Sequence, residues 1–440
     1  MKKNLLHTQL TILALLILLS CGKALCQIKP IKFYEGEWTQ FGGPARNNIC
    51  EETALLKNWN NNPPLMLWTV TNIGNGYSAP IFYRDKLWIA GDVGDDLVIF
   101  AMDVNGKLLW QAKNGNAWKG AYPGARASCT YSDGMIYHLN AHGRLACFDA
   151  DSGKEIWSVN ILEKFGGKNI TWALSECVIV DENCVYATPG GKEALMAAFN
   201  KTNGTVVWKS APLKLGLNSP PIHERLNSNN DEVDSASYAS PIIFEYSKKR
   251  LIAGCSQRHI FLIDAKSGEL LCTKPFQTRY LVIAAMPALI NDSIFFTAPD
   301  AGGGTLYKIK NENEKIYLEK NWTTPLDTCH GGVVYLEGTL YGSFYRDEKG
   351  WGAVNASNGK LVSKITDLPM GSILYADKRL YLLSQEGIMA LVEPAPDSFK
   401  IISQFNLRGK KTDVWTHPVI YKKRLYLRYH NIFSCFDIAE

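Results

Sequence analysis

Counting back ten residues from Leu87, and from the equivalent apolar position in seven later units of the chain, gives Tyr77, Arg126, Ser175, Ala284, His330, Met370 and Trp415. Tyr238 joins them once the longer turn of the fourth unit is allowed for, and Glu176 and His417 stand beside the series. A guanidinium, two imidazoles, a carboxylate and three aromatic rings among otherwise small residues can stack on a ligand and hold its charged group by charge-assisted hydrogen bonds. Tyr77, Arg126, Glu176, Tyr238, His330, Trp415 and His417 are therefore the candidate binding residues, for a sugar, a quinone or an acidic group. The alternative is a water-filled channel whose polar side chains are merely solvated. Other chemistry is weakly signalled. His138 and His142 lie four apart on a strand and turn, so helical metal-ligand spacing does not apply. No CxxC pair, paired carboxylate or Ser-His-Asp set stands out, so neither a metal site nor a catalytic residue is assigned.

The elements that would position these residues are set by a repeat. Leu97 to Trp110 reads as strand, turn, strand: apolar residues of high β propensity flank Asp103, which can bond the backbone two residues on, and Asn105-Gly106, which supplies positive φ. The pattern returns at Leu145–Trp157, Met196–Trp208, Phe261–Cys272 and Gly352–Ser363, with Cys272 and Ser363 replacing the closing Trp. Trp110 to Trp157 is 47 residues and Trp157 to Trp208 is 51, the length of one four-stranded blade. Each hairpin follows a unit of small residues, often with Pro, a turn, and Leu or Ile before an aromatic, as in Ser78-Ala79-Pro80-Ile81 leading to Leu87-Trp88. Eight such units predict an all-β fold, an eight-bladed β-propeller of four-stranded antiparallel blades. Small residues suit innermost strands crowded at the axis, and Pro is tolerated on their unpaired edge. The last unit lacks an outer strand, and Leu65-Met66-Leu67-Trp68 resembles one. It is expected to close the ring on Ile432–Phe436, removing two sheet edges. Trp68, Trp110, Trp157, Trp208 and Trp322 are expected to dock blade against blade.

Residues 1–27 read as an export signal, with Lys2 and Lys3 before the apolar run Leu10–Leu19. Cleavage before Cys21, which would then carry lipid, competes with cleavage near Gln27. Residues 28–64 form a prelude packing on the propeller, which occupies 65–440. Apolar residues make up 46% and charged residues 20% of the chain, enough for a core, and a net charge of +5 without a basic run interleaved with aromatics argues against nucleic acid. Nine cysteines follow the leader, and Cys177 and Cys184 could pair across a hairpin. Leu213–Asp234 reads as a loop insert and Asn313–Trp322 as a solvated hairpin.

The aspartate, glycine and tryptophan repeat resembles the blade motif of pyrroloquinoline-quinone (PQQ)-type propellers, shared by quinoprotein alcohol dehydrogenases and BamB-like outer-membrane lipoproteins. Trp38–Pro44, His330–Val334 and His417–Ile420 resemble exported bacterial members of mostly unassigned activity. The resemblance implies a binding or scaffold protein of the bacterial cell envelope, periplasmic or anchored to the outer membrane through Cys21, with an envelope protein or glycan as partner and no required cofactor. It also leaves two enzyme readings open. A PQQ-dependent oxidoreductase of the alcohol dehydrogenase type would hold the quinone beside a catalytic Asp and Ca²⁺, usually under a vicinal disulfide, yet this chain has no adjacent cysteines. A carbohydrate-active lyase or hydrolase would use His330, Arg126 and Tyr238 at the channel mouth.

Overall fold

The computed structural model of the protein describes residues 28–215, 232–300, 303–346, 348–396, 398–407 and 412–440. The expected leader with Cys21, and most of the insert between Leu213 and Asp234, lie outside these residues.

Eight sheets each hold four antiparallel strands laid down as blades. The first runs Ile81–Tyr83, Lys86–Val93, Asp96–Asp103 and Leu108–Asn116, and six more follow in chain order. The eighth contains Val419–Tyr421, Arg424–Tyr429 and Ile432–Asp437, and its outer strand is Leu65–Val70 from the far end of the chain. Leu65 stands opposite Asp437 and Val70 opposite Phe433, so the ring of this eight-bladed propeller closes as the repeat predicts. The middle strands read as unbroken apolar runs because both faces of a blade are covered by its neighbours: Trp88, Ile99 and Ala101 of the first blade pack on Tyr131, Ile136 and Phe148 of the second.

A register shift between the third and fourth strands recurs in all eight blades, at Ala101/Met102, Cys147/Phe148, Ala198/Phe199 and onward to Met66/Trp68. Such a bulge adds local twist and re-aims a side chain. In five of the blades the outer strand carries a tryptophan beside this shift. Its indole N–H donates to a carbonyl in the turn of the following blade: Trp68 to Val104 at 3.2 Å, Trp110 to Ala150 at 3.0 Å, Trp157 to Lys201 at 2.9 Å, Trp208 to Ala265 at 3.0 Å and Trp322 to Ala356 at 3.0 Å. The turn glycine lies flat under that ring. At Gly204, φ is +72° and an added Cβ would stand 2.7 Å from the Trp157 ring, whereas at Gly36, φ +79°, it would meet nothing within 4 Å. Gly204→Ala should therefore cost about 2–3 kcal/mol in chemical denaturation and Gly36→Ala only about 1, the difference isolating the tryptophan contact from backbone strain.

The prelude reaches the axis. Ile28–Pro30 pairs antiparallel with the inner strand of blade four, and Ile49–Cys50 runs parallel to that of blade seven. Between them, the carbonyls of Trp38, Thr39 and Asn48 accept from Phe82 at 2.7 Å, Tyr131 at 2.9 Å and Tyr375 at 2.9 Å, on blades one, two and seven. Arg46 Nη2 donates to Cys177 O ahead of the inner strand of blade three at 2.8 Å. Residues 38–48 therefore lie across the channel and plug it. The nine cysteines are free thiols: Cys177 does not bond Cys184, and its sulfur accepts from Ser128 N at 3.1 Å.

Candidate functional site

Above the plug lies a cavity of about 400 Å³. Its walls are the segments that lead into the innermost strands, joined by residues that follow the second strands of blades five and six, and its floor includes Phe41, which meets the His417 ring edge-on at 4.7 Å. Small residues near the axis are dictated by backbone crowding there: a Cβ on Gly331 would fall 1.8 Å from Gly371 O.

Six of the seven candidate residues, Tyr77, Arg126, Tyr238, His330, Trp415 and His417, line this one cavity. Trp415 is central. Tyr77 stacks on it at 5.2 Å, and Tyr122 and His330 tilt against it at 4.9 and 5.0 Å. Tyr77 Oη donates to Asp413 Oδ2 at 3.1 Å, and His430 Nε2 donates to the other carboxylate oxygen at 3.1 Å. Arg126 spans two walls, donating from Nε to Trp172 O at 2.7 Å and from Nη2 to Ala121 O at 3.0 Å.

Glu176 is not among them. The pattern puts it in the tier next to the mouth, but its side chain turns away from the cavity, buried, where Oε2 accepts from Thr188 N at 3.2 Å. Neighbouring residues on an extended segment point to opposite sides, and Ser175 and Cys177 are the two that face the cavity. Met370 of the eightfold series is likewise absent from the lining. The tenth-position rule also misses Tyr122, Trp172, Tyr280, Tyr345, Asp300 and Arg346, which do line it. Three of these had a readable signal, since Tyr122, Trp172 and Tyr280 precede Arg126, Ser175 and Ala284 by three or four residues.

The electrostatics favour holding over proton transfer. His417 donates from Nε2 to His330 O at 2.8 Å, and burial lowers its pKa to about 4; burial and the neighbouring His417 take His330 to about 3. Burial pushes Tyr238 and Tyr345 up to about 12 and Cys329 up to about 12, and raises Cys177. The imidazoles are thus neutral and these phenols and thiols protonated at pH 7. Beneath, the fully buried Arg46 is lowered to about 10 by burial, and burial raises Glu176 to about 7.

Residues 95–360, more than half of the chain, match the PQQ-type family described as outer membrane protein assembly factor BamB. The chain belongs to that family. Among relatives of this PQQ-like, BamB-like propeller, BamB of Escherichia coli (strain K12) is 36% identical over 90 residues, 20% of this chain and 22% of that protein. The dehydrogenase subunit of the quinone alcohol dehydrogenase of Acetobacter aceti is 30% identical over 125 residues, 26% of this chain and 17% of that protein. The chain thus matches about a fifth of the length of these curated relatives. Two solved structures share the fold: BamB from Moraxella catarrhalis (TM-score 0.58, 14% identity, 85% of this chain and 97% of that one) and the quinohemoprotein alcohol dehydrogenase of Comamonas testosteroni (TM-score 0.63, 11% identity, 93% and 81%). At those identities they show architecture alone.

The quinone and its calcium ion can be tested against the residues present. A hard cation of this kind takes six to eight oxygen ligands with several carboxylates among them. Among the described residues the cavity is lined by a single carboxylate, Asp300, which faces Arg346 at 3.6 Å. That donor set does not fit the calcium-bound quinone.

Proposed function

We propose that the protein is an exported binding protein of the bacterial cell envelope, a PQQ-like propeller that captures its partner, a glycan or a segment of an envelope protein, in the mouth of the plugged channel. Residues 1–27 would hold its export leader, cleaved either near Gln27 or before Cys21, which would then carry lipid, with residues 28–64 the plugging prelude and 65–440 the propeller. The observation that carries the reading is the cavity itself: aromatic walls from several blades, a floor closed by the prelude, imidazoles with pKa values well below 7 and a Cys329 thiol with one well above it. Catalytic acids and bases work best with pKa values near the operating pH, so this lining suits recognition. Assembly-factor relatives support an envelope setting.

Retention of envelope glycan fractions on immobilised protein tests it. Trp415→Ala, which removes the ring on which Tyr77, Tyr122 and His330 converge, should weaken capture at least about tenfold while leaving cooperative unfolding intact. Stoichiometric, calcium-dependent binding of PQQ with dye reduction would overturn the reading in favour of a quinoprotein, as would capture indifferent to Trp415.

A further inference from the structure

We infer that the ligand of this cavity is an acidic sugar, one pyranose ring of which carries a carboxylate received by Arg126. The inference rests on the cavity being the binding site and adds the chemistry of what it binds.

Charge comes first. Arg126 is held by two backbone carbonyls, and its guanidinium lies over the rings of Tyr77 at 5.9 Å and Trp118 at 5.6 Å. Nη1 has no hydrogen-bond partner, and no carboxylate stands within ion-pair distance of the group, among the described residues. Asp92, whose charge it feels, accepts instead from Trp118 N at 3.0 Å. The second guanidinium of the lining, Arg346, already faces Asp300. With both imidazoles neutral, Arg126 is the one cation lining the cavity that has no ion-pair partner among the described residues, and it is fixed in place before any ligand arrives. A planar guanidinium of this kind is built for a carboxylate, and a partly buried one without a counter-ion is incomplete.

The remaining lining names the rest of the ligand. Five tyrosines and three serines contribute to it. Ser128 Oγ accepts from Ala79 N at 2.9 Å and Ser240 Oγ from Cys177 N at 2.9 Å, so each hydroxyl keeps a proton to donate. A lining that holds both hydroxyls and ring faces matches a polyhydroxylated ring, whose C–H faces stack while its edge makes hydrogen bonds. A flat apolar acid would leave those hydroxyls unanswered. The volume of about 400 Å³ lies at the small end of ligand pockets and suits one or two sugar rings.

Tryptophan fluorescence reads this directly, because Trp172 and Trp415 line the cavity. The probes are cellobiouronic acid and cellobiose, which differ only in a carboxylate where the neutral sugar has a hydroxymethyl group. The wild-type protein should bind the acid at least about 30-fold more tightly. Arg126→Gln, whose amide can still reach a wall carbonyl, should lose that preference and bind the two sugars alike, with its melting transition retained. Equal wild-type affinities would sink the acidic-sugar inference while leaving the cavity as a glycan site. Binding of neither sugar, with envelope glycan capture still dependent on Trp415, would likewise remove the acidic sugar and spare the binding function. The wild-type comparison needs no variant to fold.

Discussion

Deleting Leu65–Val70 is expected to abolish cooperative unfolding of the whole propeller. The strand is the outer quarter of blade eight, paired from Leu65↔Asp437 to Val70↔Phe433. Trp68 packs edge-on to Phe433 at 5.4 Å and crosses to blade one, where its indole bonds Val104 O and its ring covers Gly106. Without it, the edge of Ile432–Asp437 is bare and blade eight loses its tryptophan lock on blade one. Each blade buries both faces only because it has two neighbours, so a ring opened at one joint exposes apolar surface on two. Far-UV circular dichroism and scanning calorimetry should show loss of the single sharp transition. The converse change should stabilise. Thr69 and Ser434 are register partners whose hydroxyls lie 2.9 Å apart across 365 residues of chain. Joining them as Thr69→Cys with Ser434→Cys should add up to about 5 kcal/mol under oxidising conditions. A deletion variant that still melts as one unit within a few degrees of the parent would show that the closure does not hold the ring.

The same strand shows what was legible from sequence. Leu65-Met66-Leu67-Trp68 could be matched to Lys107-Leu108-Leu109-Trp110 because outer blade strands reuse one local pattern, an apolar run closed by tryptophan. Periodicity carries fold well because every blade solves the same packing problem. The plug was not legible, since residues 38–48 obey no repeat; Arg46 is placed by carbonyls of Cys177 and Val178 more than a hundred residues away. The cavity was half legible. The tenth-position rule found Tyr77, Arg126, Tyr238, His330 and Trp415 because the innermost strands start at one level, and His417 was found in the neighbouring tier. The rule failed at Met370, which stays out of the lining, and at Tyr345 and Arg346, which follow the second strand of blade six, Thr339–Ser343, and have no counterpart in the repeat; the neighbouring tier failed at Glu176, where a one-residue step on an extended segment reverses the side chain.

Stability should be greatest near neutral pH and fall steeply in acid. Three imidazoles are buried neutral. His138 is locked in that form by a chain of bonds: Arg144 Nη1 donates to Asn114 Oδ1 at 2.6 Å, which fixes the Asn114 amide so that its Nδ2 donates to His138 Nδ1 at 2.9 Å, while His138 Nε2 donates to Ala127 O at 3.1 Å. A proton on Nδ1 would set two donors against each other. Burial accordingly lowers His138 to about 4, beside His417 at about 4 and His330 at about 3. Folded values below the ordinary 6.5 mean that the stability these groups contribute is complete above pH 6.5 and is lost as pH falls through 4 toward 3. Three acids, Glu176, Asp92 and Asp181, act oppositely, each raised by burial. Burial raises Glu176 to about 7 and Asp92 to about 6, so their contribution is complete below about pH 4 and is lost as pH rises through those values. The histidines outweigh the acids, and the net loss between pH 6.5 and pH 3 is on the order of 5 kcal/mol. Glu176→Gln separates the two arms. The amide mimics the protonated carboxyl and still accepts from Thr188 N, so at pH 8 the variant should be more stable than the parent by up to about 3 kcal/mol, and at pH 4 no different. Denaturant melts at the two pH values read the contrast directly; a variant destabilised equally at both would mean that the Glu176 carboxylate, through its charge interaction with Arg46, is a net support of the plug.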